Sequence, residues 1–304
     1  MTKMKKYVLL SLLLFAAAFS CTAKTRAQAI IDELNDPASG KVLVAVHRGD
    51  WRNNPENSLP ALEDAIRMGA DIVEIDLALT ADSVLVVCHD RNVDRTASGS
   101  GMISDLTLDQ IKSLRLYAGH RAVATDLRMP TLREALELCK DRIVVNIDKG
   151  YQYYDLVQKL AEELGVTEQL LIKGGIDAGD VKKKFAAYDT NMMFMPILNP
   201  ADDRGRGLLE QYTAPANLPP AIEVCWGAES PEVDAAMKRI ADAGIRVWAN
   251  TLWNSLCGGL SDDRAYYGDP ADIYGRVLAK GVSVIQTDRP ALLLSYLRSI
   301  GRHD

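Results

Sequence analysis

The sequence predicts a (β/α)8 TIM barrel with a small insertion after the second strand. Three observations carry this. Apolar runs of strand length recur at 42–46, 71–77, 143–148, 169–173, 191–197, 221–225, 245–249 and 282–286. They are nearly continuous rather than alternating, as expected of parallel strands buried on both faces. Amphipathic stretches of helical period lie between most of them, and eight such repeats in this length suit a closed barrel better than an open sheet.

In chain order, the first twenty or so residues stand outside the barrel. Lys3, Lys5 and Lys6 precede an apolar run from Tyr7 to Phe19 that is too short for a stable bilayer span, which is the layout of an export signal. Ala18-Phe19-Ser20-Cys21 resembles a bacterial lipobox, with Cys21 as the lipidated new N-terminus; the alternative is simple cleavage nearby and a soluble periplasmic product. Residues 1–21 are therefore read as a signal, 22–40 as a polar leader, and 41–304 as the barrel domain. Losing residues 1–20 removes three of the 35 basic residues and none of the 41 acidic ones, giving 32 − 41 = −9. That balance argues against nucleic acid, and no second apolar span is present. Cys88, Cys139, Cys225 and Cys257 have no framework spacing; the first three sit in apolar runs and read as buried thiols.

Helices are expected at 58–68, 131–139, 153–164, 180–188, 231–243, 271–280 and 291–299. Asn57 or Ser58 with Pro60, Thr131 with Glu134, and Ser230-Pro231 with Asp234 mark helix starts; Gly69, Gly165, Gly244 and Gly281 mark helix ends just before strands. The run 84–88 follows the second strand too closely for a crossover helix, so it should return as a hairpin through Thr80-Ala81-Asp82. The insertion, about 91–130, and the connection from Thr251 to Pro270 are long for barrel loops and are expected at the mouth.

Chemistry concentrates at strand ends. His47-Arg48-Gly49 follows the first strand and His89-Asp90 follows the hairpin strand. Glu74 and Asp76 alternate on the second strand and so share a face. Imidazoles exchange protons near neutral pH, and paired carboxylates suit a hard divalent cation. The combination reads as a metal-assisted hydrolytic site.

His47-Arg48-Gly49, Pro55-Glu56-Asn57-Ser58, the stretch Gly69 to Asp76, His89-Asp90 and Asp94 to Gly101 closely resemble the glycerophosphodiester phosphodiesterases. Pro130 to Ala135 and Gln286-Thr287-Asp288-Arg289-Pro290 are similar to later elements of that family. The resemblance implies the barrel fold, a divalent metal (Mg²⁺ or Ca²⁺), and hydrolysis of glycerophosphodiesters to glycerol phosphate and an alcohol. It makes His47 and His89 the acid–base pair, in unassigned order, and Glu74 and Asp76 metal ligands. The family's third ligand is a Glu usually followed two residues later by Lys; here Asp148 takes that position and Lys149 comes one place early. By strand alternation Lys149 should turn away from Asp148, leaving Lys173, at the end of the fourth strand, to meet the phosphate. Arg48 is placed to grip the phosphate, Gly49 to let backbone approach a ligand, and Glu56 to steady the histidine or the metal. Glu223, Trp226, Trp248 and Asn250 are candidates to line the organic part of the substrate, with packing the alternative for Trp248.

Other readings are weaker. A glycosidase needs no paired histidines, and a non-catalytic phosphodiester-binding lipoprotein would have lost a proton-transfer or metal residue. A phosphatidylinositol-specific phospholipase C-like or sphingomyelinase D-like barrel is the nearest enzymatic competitor.

Overall fold

A computed structural model describes residues 24–119, 121–188 and 190–304; the expected signal segment and Cys21 lie outside them. Helix α1 (Arg26–Leu34) precedes β1 (Leu43–Val46); α2 (Leu59–Met68) leads to β2 (Ile72–Leu79), and β3 (Leu85–Val87) folds back on it. After α3 (Leu108–Ser113) and a small hairpin of β4 (Tyr117–Ala118) and β5 (Val123–Ala124), the alternation resumes. It runs through α4 (Leu132–Cys139), β6 (Val144–Asp148), α5 (Tyr154–Leu164), β7 (Leu170–Gly174), α6 (Ala178–Phe185) and β8 (Met193–Leu198). Next come α7 (Asp203–Tyr212), β9 (Ala221–Val224), α8 (Pro231–Asp242) and β10 (Arg246–Asn250). Then α9 (Asp262–Tyr267), α10 (Arg276–Ala279), β11 (Val282–Thr287) and α11 (Pro290–Ser299) complete the order.

Eight parallel strands close into a barrel. Their order is β1-β11-β10-β9-β8-β7-β6-β2, and β1 pairs with β2 to seal the ring. All eight expected strands are present to within two residues. The hairpin is present too: β3 runs antiparallel to β2, with Leu77 opposite Val87. Caps explain why the helices begin and end where they do. Ser58 accepts from the Ala61 amide, Thr131 and Glu134 form a reciprocal capping box, and Gly69 ends α2 at φ 88°.

Inward-facing residues form two layers. The lower one is apolar and contains Leu43, Ile72, Val144, Leu171, Met195, Trp248 and Val284. Above it lie buried polar side chains, among them Glu74, Asn146, Lys173, Glu223, Asn250 and Gln286. The outward faces of the strands pack against the helices in the main core.

The segment read as a polar leader contains α1, which seals the bottom of the barrel with Ala27, Ile30 and Leu34 buried. Its apolar positions are interspersed with charges and so escape a composition-based reading. Arg246, fully buried, donates to the Glu33, Leu34, Asp36 and Lys41 carbonyls and pairs with Glu33 at 2.8 Å. Asp71 accepts from the Val44 amide and lies 2.9 Å from His303 Nε2, fastening the last residues to the same end.

The insertion has a small core of its own on the β2–β3 hairpin, built from Val86, Val93, Ala97, Ile103, Ile111 and Leu116. Cys88, Cys139 and Cys257 are buried free thiols, whereas Cys225 is only half-buried.

Candidate functional site

Strand ends assemble the site at the opposite end from α1. Glu74 and Asp76 on β2 and Asp148 at the end of β6 bring carboxylate oxygens within 4.8 Å of one another. The register explains it: β2 pairs with β6 so that Asp76 lies opposite Asp148. Burial and the neighbouring Asp76 carboxylate push Glu74 up to about 7. Burial pushes Asp76 the same way, but Arg48, His89 and the Asn57 hydrogen bond outweigh it and hold this carboxyl below its usual range. Three carboxylates crowded around one point, one of them raised by its neighbours, fit a hard divalent cation whose charge would relieve the repulsion.

Each histidine is oriented by a carboxylate on Nδ1. His47 is buried, with Asp288 Oδ1 at 2.7 Å; His89 has Asp90 Oδ1 at 2.7 Å. That leaves Nε2 of each ring for proton exchange. Asp288 is itself held: Oδ1 also accepts from Trp51 Nε1 at 2.6 Å, and its amide donates to Asp262 at 2.7 Å. Sequence reasoning quoted Asp288 but gave it no role. In a closed eight-stranded barrel the last strand is the neighbour of the first, so a carboxylate just past β11 stands beside the residue just past β1; that adjacency was the available signal. Trp253, half-exposed and edge-on to His47 at 6.1 Å between ring centres, was also missed. It sits in an irregular stretch that no periodicity marks.

Arg48 (φ 55°) and Gly49 (φ 71°) both adopt the left-handed conformation, turning the chain sharply after His47. The glycine is needed for packing, not for ligand approach: a Cβ there would lie 2.6 Å from the Ala61 backbone carbon in α2. Arg48 donates to Glu56 at 2.9 Å and its Nε lies 3.4 Å from Asp76. Glu56 also pairs with Arg95, which in turn grips Asp90. Glu56 thus links the insertion to Arg48 instead of contacting a histidine.

Two expectations about the lysines are corrected. Lys149 was expected to face away from the site, but it takes φ 61°, which breaks strand alternation. Its ammonium lies 3.5 Å from Asp76 and donates to the His89 carbonyl. Lys173 was expected to meet the phosphate; instead it is buried inside the barrel, 3.6 Å from Glu74 and 3.5 Å from Glu223. Burial opposes its charge, but Glu223 and Glu74 hold the ammonium well above its usual range.

Trp248 is likewise corrected as a substrate-lining residue. It is wholly buried in the lower apolar layer, with its Nε1 donating to Asn250 at 2.9 Å. Trp226 is buried in the main core. Glu223 and Asn250 are both buried and bond to each other at 2.8 Å.

Residues 47–192 match the glycerophosphoryl diester phosphodiesterase family, and residues 194–297 match a domain of unknown function. A glycerophosphodiester phosphodiesterase of Caldanaerobacter subterraneus subsp. tengcongensis is 39% identical over 152 residues, covering 47% of this chain and 63% of the relative. Glycerophosphodiester phosphodiesterase 1 of Rattus norvegicus is 45% identical over 101 residues, 33% of this chain and 30% of that protein. The aligned regions thus span under two thirds of these relatives. The fold is shared with a glycerophosphoryl diester phosphodiesterase from Parabacteroides distasonis (TM-score 0.72, 22% identity, 89% of this chain and 92% of that one). It is shared too with an Oleispira antarctica phosphodiesterase in complex with the product sn-glycerol-3-phosphate (TM-score 0.62, 20% identity, 86% and 99%).

Proposed function

We propose that this chain, which carries a domain of the glycerophosphoryl diester phosphodiesterase family over residues 47–192, hydrolyses glycerophosphodiesters to a glycerol phosphate and an alcohol. One observation carries the reading: two histidines, each with a carboxylate on Nδ1, stand with a three-carboxylate cluster at one end of a barrel. Phosphodiester cleavage by water asks for that combination, because neither a neutral hydroxyl nucleophile nor an alkoxide leaving group is competent near pH 7 without proton transfer.

Glu74, Asp76 and Asp148 would hold Mg²⁺ or Ca²⁺, which when bound supplies Lewis-acid neutralisation of phosphoryl charge. The chain's own residues do the rest. One histidine takes the proton from the attacking hydroxyl, and the other gives a proton to the departing alcohol oxygen. Asp288 and Asp90 hold the two rings in the tautomer that leaves Nε2 for this exchange. Arg48 and Lys149 bring positive charge to the phosphate beside Asp76. Lys173 offsets part of the charge of Glu74 and Glu223 from below, favouring the ionised form of Glu74 against its burial. The Oleispira relative's product complex supports a glycerol phosphate as product. Export, with lipid attachment at Cys21, remains our reading of residues 1–21.

The test is a panel of glycerophosphodiesters (choline, ethanolamine, glycerol and inositol alcohols) assayed before and after EDTA. Release of glycerol phosphate that EDTA abolishes and Mg²⁺ or Ca²⁺ restores is expected. Full activity in EDTA would remove the metal from the reading, and no release from any diester would remove the activity.

A further inference from the structure

A groove of about 620 Å³ opens beside His89. Its floor is Leu77, Ala78 and Leu79 of β2; the insertion supplies one wall, including Ser104, and the segment after β6 supplies another, including Gln152 and Tyr153. His89 and Lys149 lie in its lining, and Lys149 is 3.5 Å from Asp76. An occupant of the groove is therefore one side chain away from a phosphate at the carboxylate cluster.

We propose that this groove receives the alcohol half of the diester and selects neutral, hydroxyl-rich alcohols over cationic ones; the inference rests on the phosphodiesterase reading above. Size comes first. At liquid water's roughly 30 Å³ per heavy atom, the six heavy atoms of a glyceryl group fill less than about a third of the space. A cyclic polyol of twelve heavy atoms fills over half.

Charge decides the class. The carboxylate in the lining is Asp90, and it is committed: Arg95 Nε and His89 Nδ1 each lie 2.7 Å from it, and together they hold it far below the usual carboxylate range. The cations are Lys149 and Arg91, and no carboxylate of the described residues pairs with the exposed Arg91 guanidinium. A quaternary or primary ammonium entering here meets the unpaired Arg91 guanidinium, while Lys149 is already offset by Asp76 and the lining carboxylate Asp90 is taken, which disfavours it. A polyol finds Gln152 and Tyr153, whose side-chain polar atoms bond to no other described residue, and Ser104 Oγ, which donates to Asp105 at 3.3 Å and keeps its lone pairs free to accept. Hydrogen-bonding groups on both walls favour a hydroxylated ligand over one that offers no hydroxyl.

The experiment compares kcat/KM for glycerophosphoinositol and glycerophosphocholine in the unmodified protein, Arg91→Glu and Gln152→Ala. Binding of the same two diesters to a His47→Ala variant is measured by calorimetry. The unmodified protein should favour the inositol diester by about tenfold or more. Arg91→Glu should shift the ratio toward choline by about tenfold, and Gln152→Ala, on another wall, should weaken the inositol diester by a few fold. Turnover of both diesters at similar efficiency, with Arg91→Glu leaving the ratio unchanged, overturns the subsite. Preferential calorimetric binding of the inositol diester with no turnover in the unmodified protein upholds the subsite and overturns the hydrolysis. Absence of any preference in binding overturns the subsite whether or not turnover is seen.

Discussion

The two ends of the barrel bury ionisable groups to comparable depth and treat them in opposite ways. At the closed end, Arg246 is surrounded by four carbonyls and Glu33, and Asp71 is matched by His303 and the Val44 amide. At the mouth, three carboxylates converge on one another. Among the described residues, the buried polar atoms without a hydrogen-bond partner are Arg48 Nε, Asn146 Oδ1, Glu223 Oε2 and Gln286 Oε1, all on the upper half of the barrel. Buried charge at the bottom is neutralised within the chain, as stability requires. At the mouth Arg48 Nε and Glu223 Oε2 have only ion-pair contacts, with Asp76 and Lys173, and the three converging carboxylates keep an imbalance that a ligand can relieve.

The contrast predicts that substitutions at the two ends have opposite signatures. The largest effects are catalytic. His47→Ala and His89→Ala should each lower kcat on a glycerophosphodiester by roughly 10²–10⁴ while circular dichroism and the unfolding midpoint barely move. A tenfold or smaller loss for either would take that residue out of proton transfer. Next in size, Arg246→Met should cost about 3–5 kcal/mol in urea unfolding by stranding Glu33 and the carbonyls, with kcat of the folded protein unchanged. A mild cost would show the closed end to be less dependent on internal pairing than we argue.

Glu74→Gln should do the reverse in metal-free protein. A carboxyl whose folded value is about 7 against 4.5 when free gives up stability as pH climbs through that interval. Removing it should therefore stabilise the metal-free fold at pH 8, by on the order of 1 kcal/mol, and change little at pH 4. Destabilisation at pH 8 would mean that Lys173 and the Arg48 amide already compensate Glu74 fully. The smallest effect is His303→Ala. Burial lowers the affinity of His303 for its proton, but the bond to Asp71 outweighs this and raises the value above 6.5. Its contribution is thus complete below pH 6.5 and lost as pH rises through the folded value. The variant should lose about 1 kcal/mol at pH 5.5 and markedly less at pH 9; equal losses at both would rule out the charged pair.

The barrel was legible because a strand buried on both faces leaves an apolar run that charge cannot interrupt. The site was legible where function overrides that rule, as with Glu74 and Asp76 inside an otherwise apolar β2. Reading stopped where backbone conformation departs from the regular period. Lys149 points into the site because of one left-handed residue, and alternation gave the wrong side. Lys173 and Trp248 were read as strand-end residues, but sequence does not say how far below the rim a strand-end side chain sits. The α1 helix escaped because three buried positions among charged residues look like a polar leader until the barrel bottom is there to receive them.

The position of α1 also sets which way the molecule faces. Arg26 near the start of this helix donates to the Ala70 and Arg142 carbonyls, beside the entry points of β2 and β6. The chain therefore enters the fold from beneath, on the side away from the histidines. Were the protein tethered to a bilayer through residues ahead of Lys24, its blind end would rest toward the lipid and its mouth would look out into the aqueous phase. Water-soluble diesters diffusing past would have open access, whereas phospholipid heads in the supporting leaflet would lie on the wrong side of the barrel.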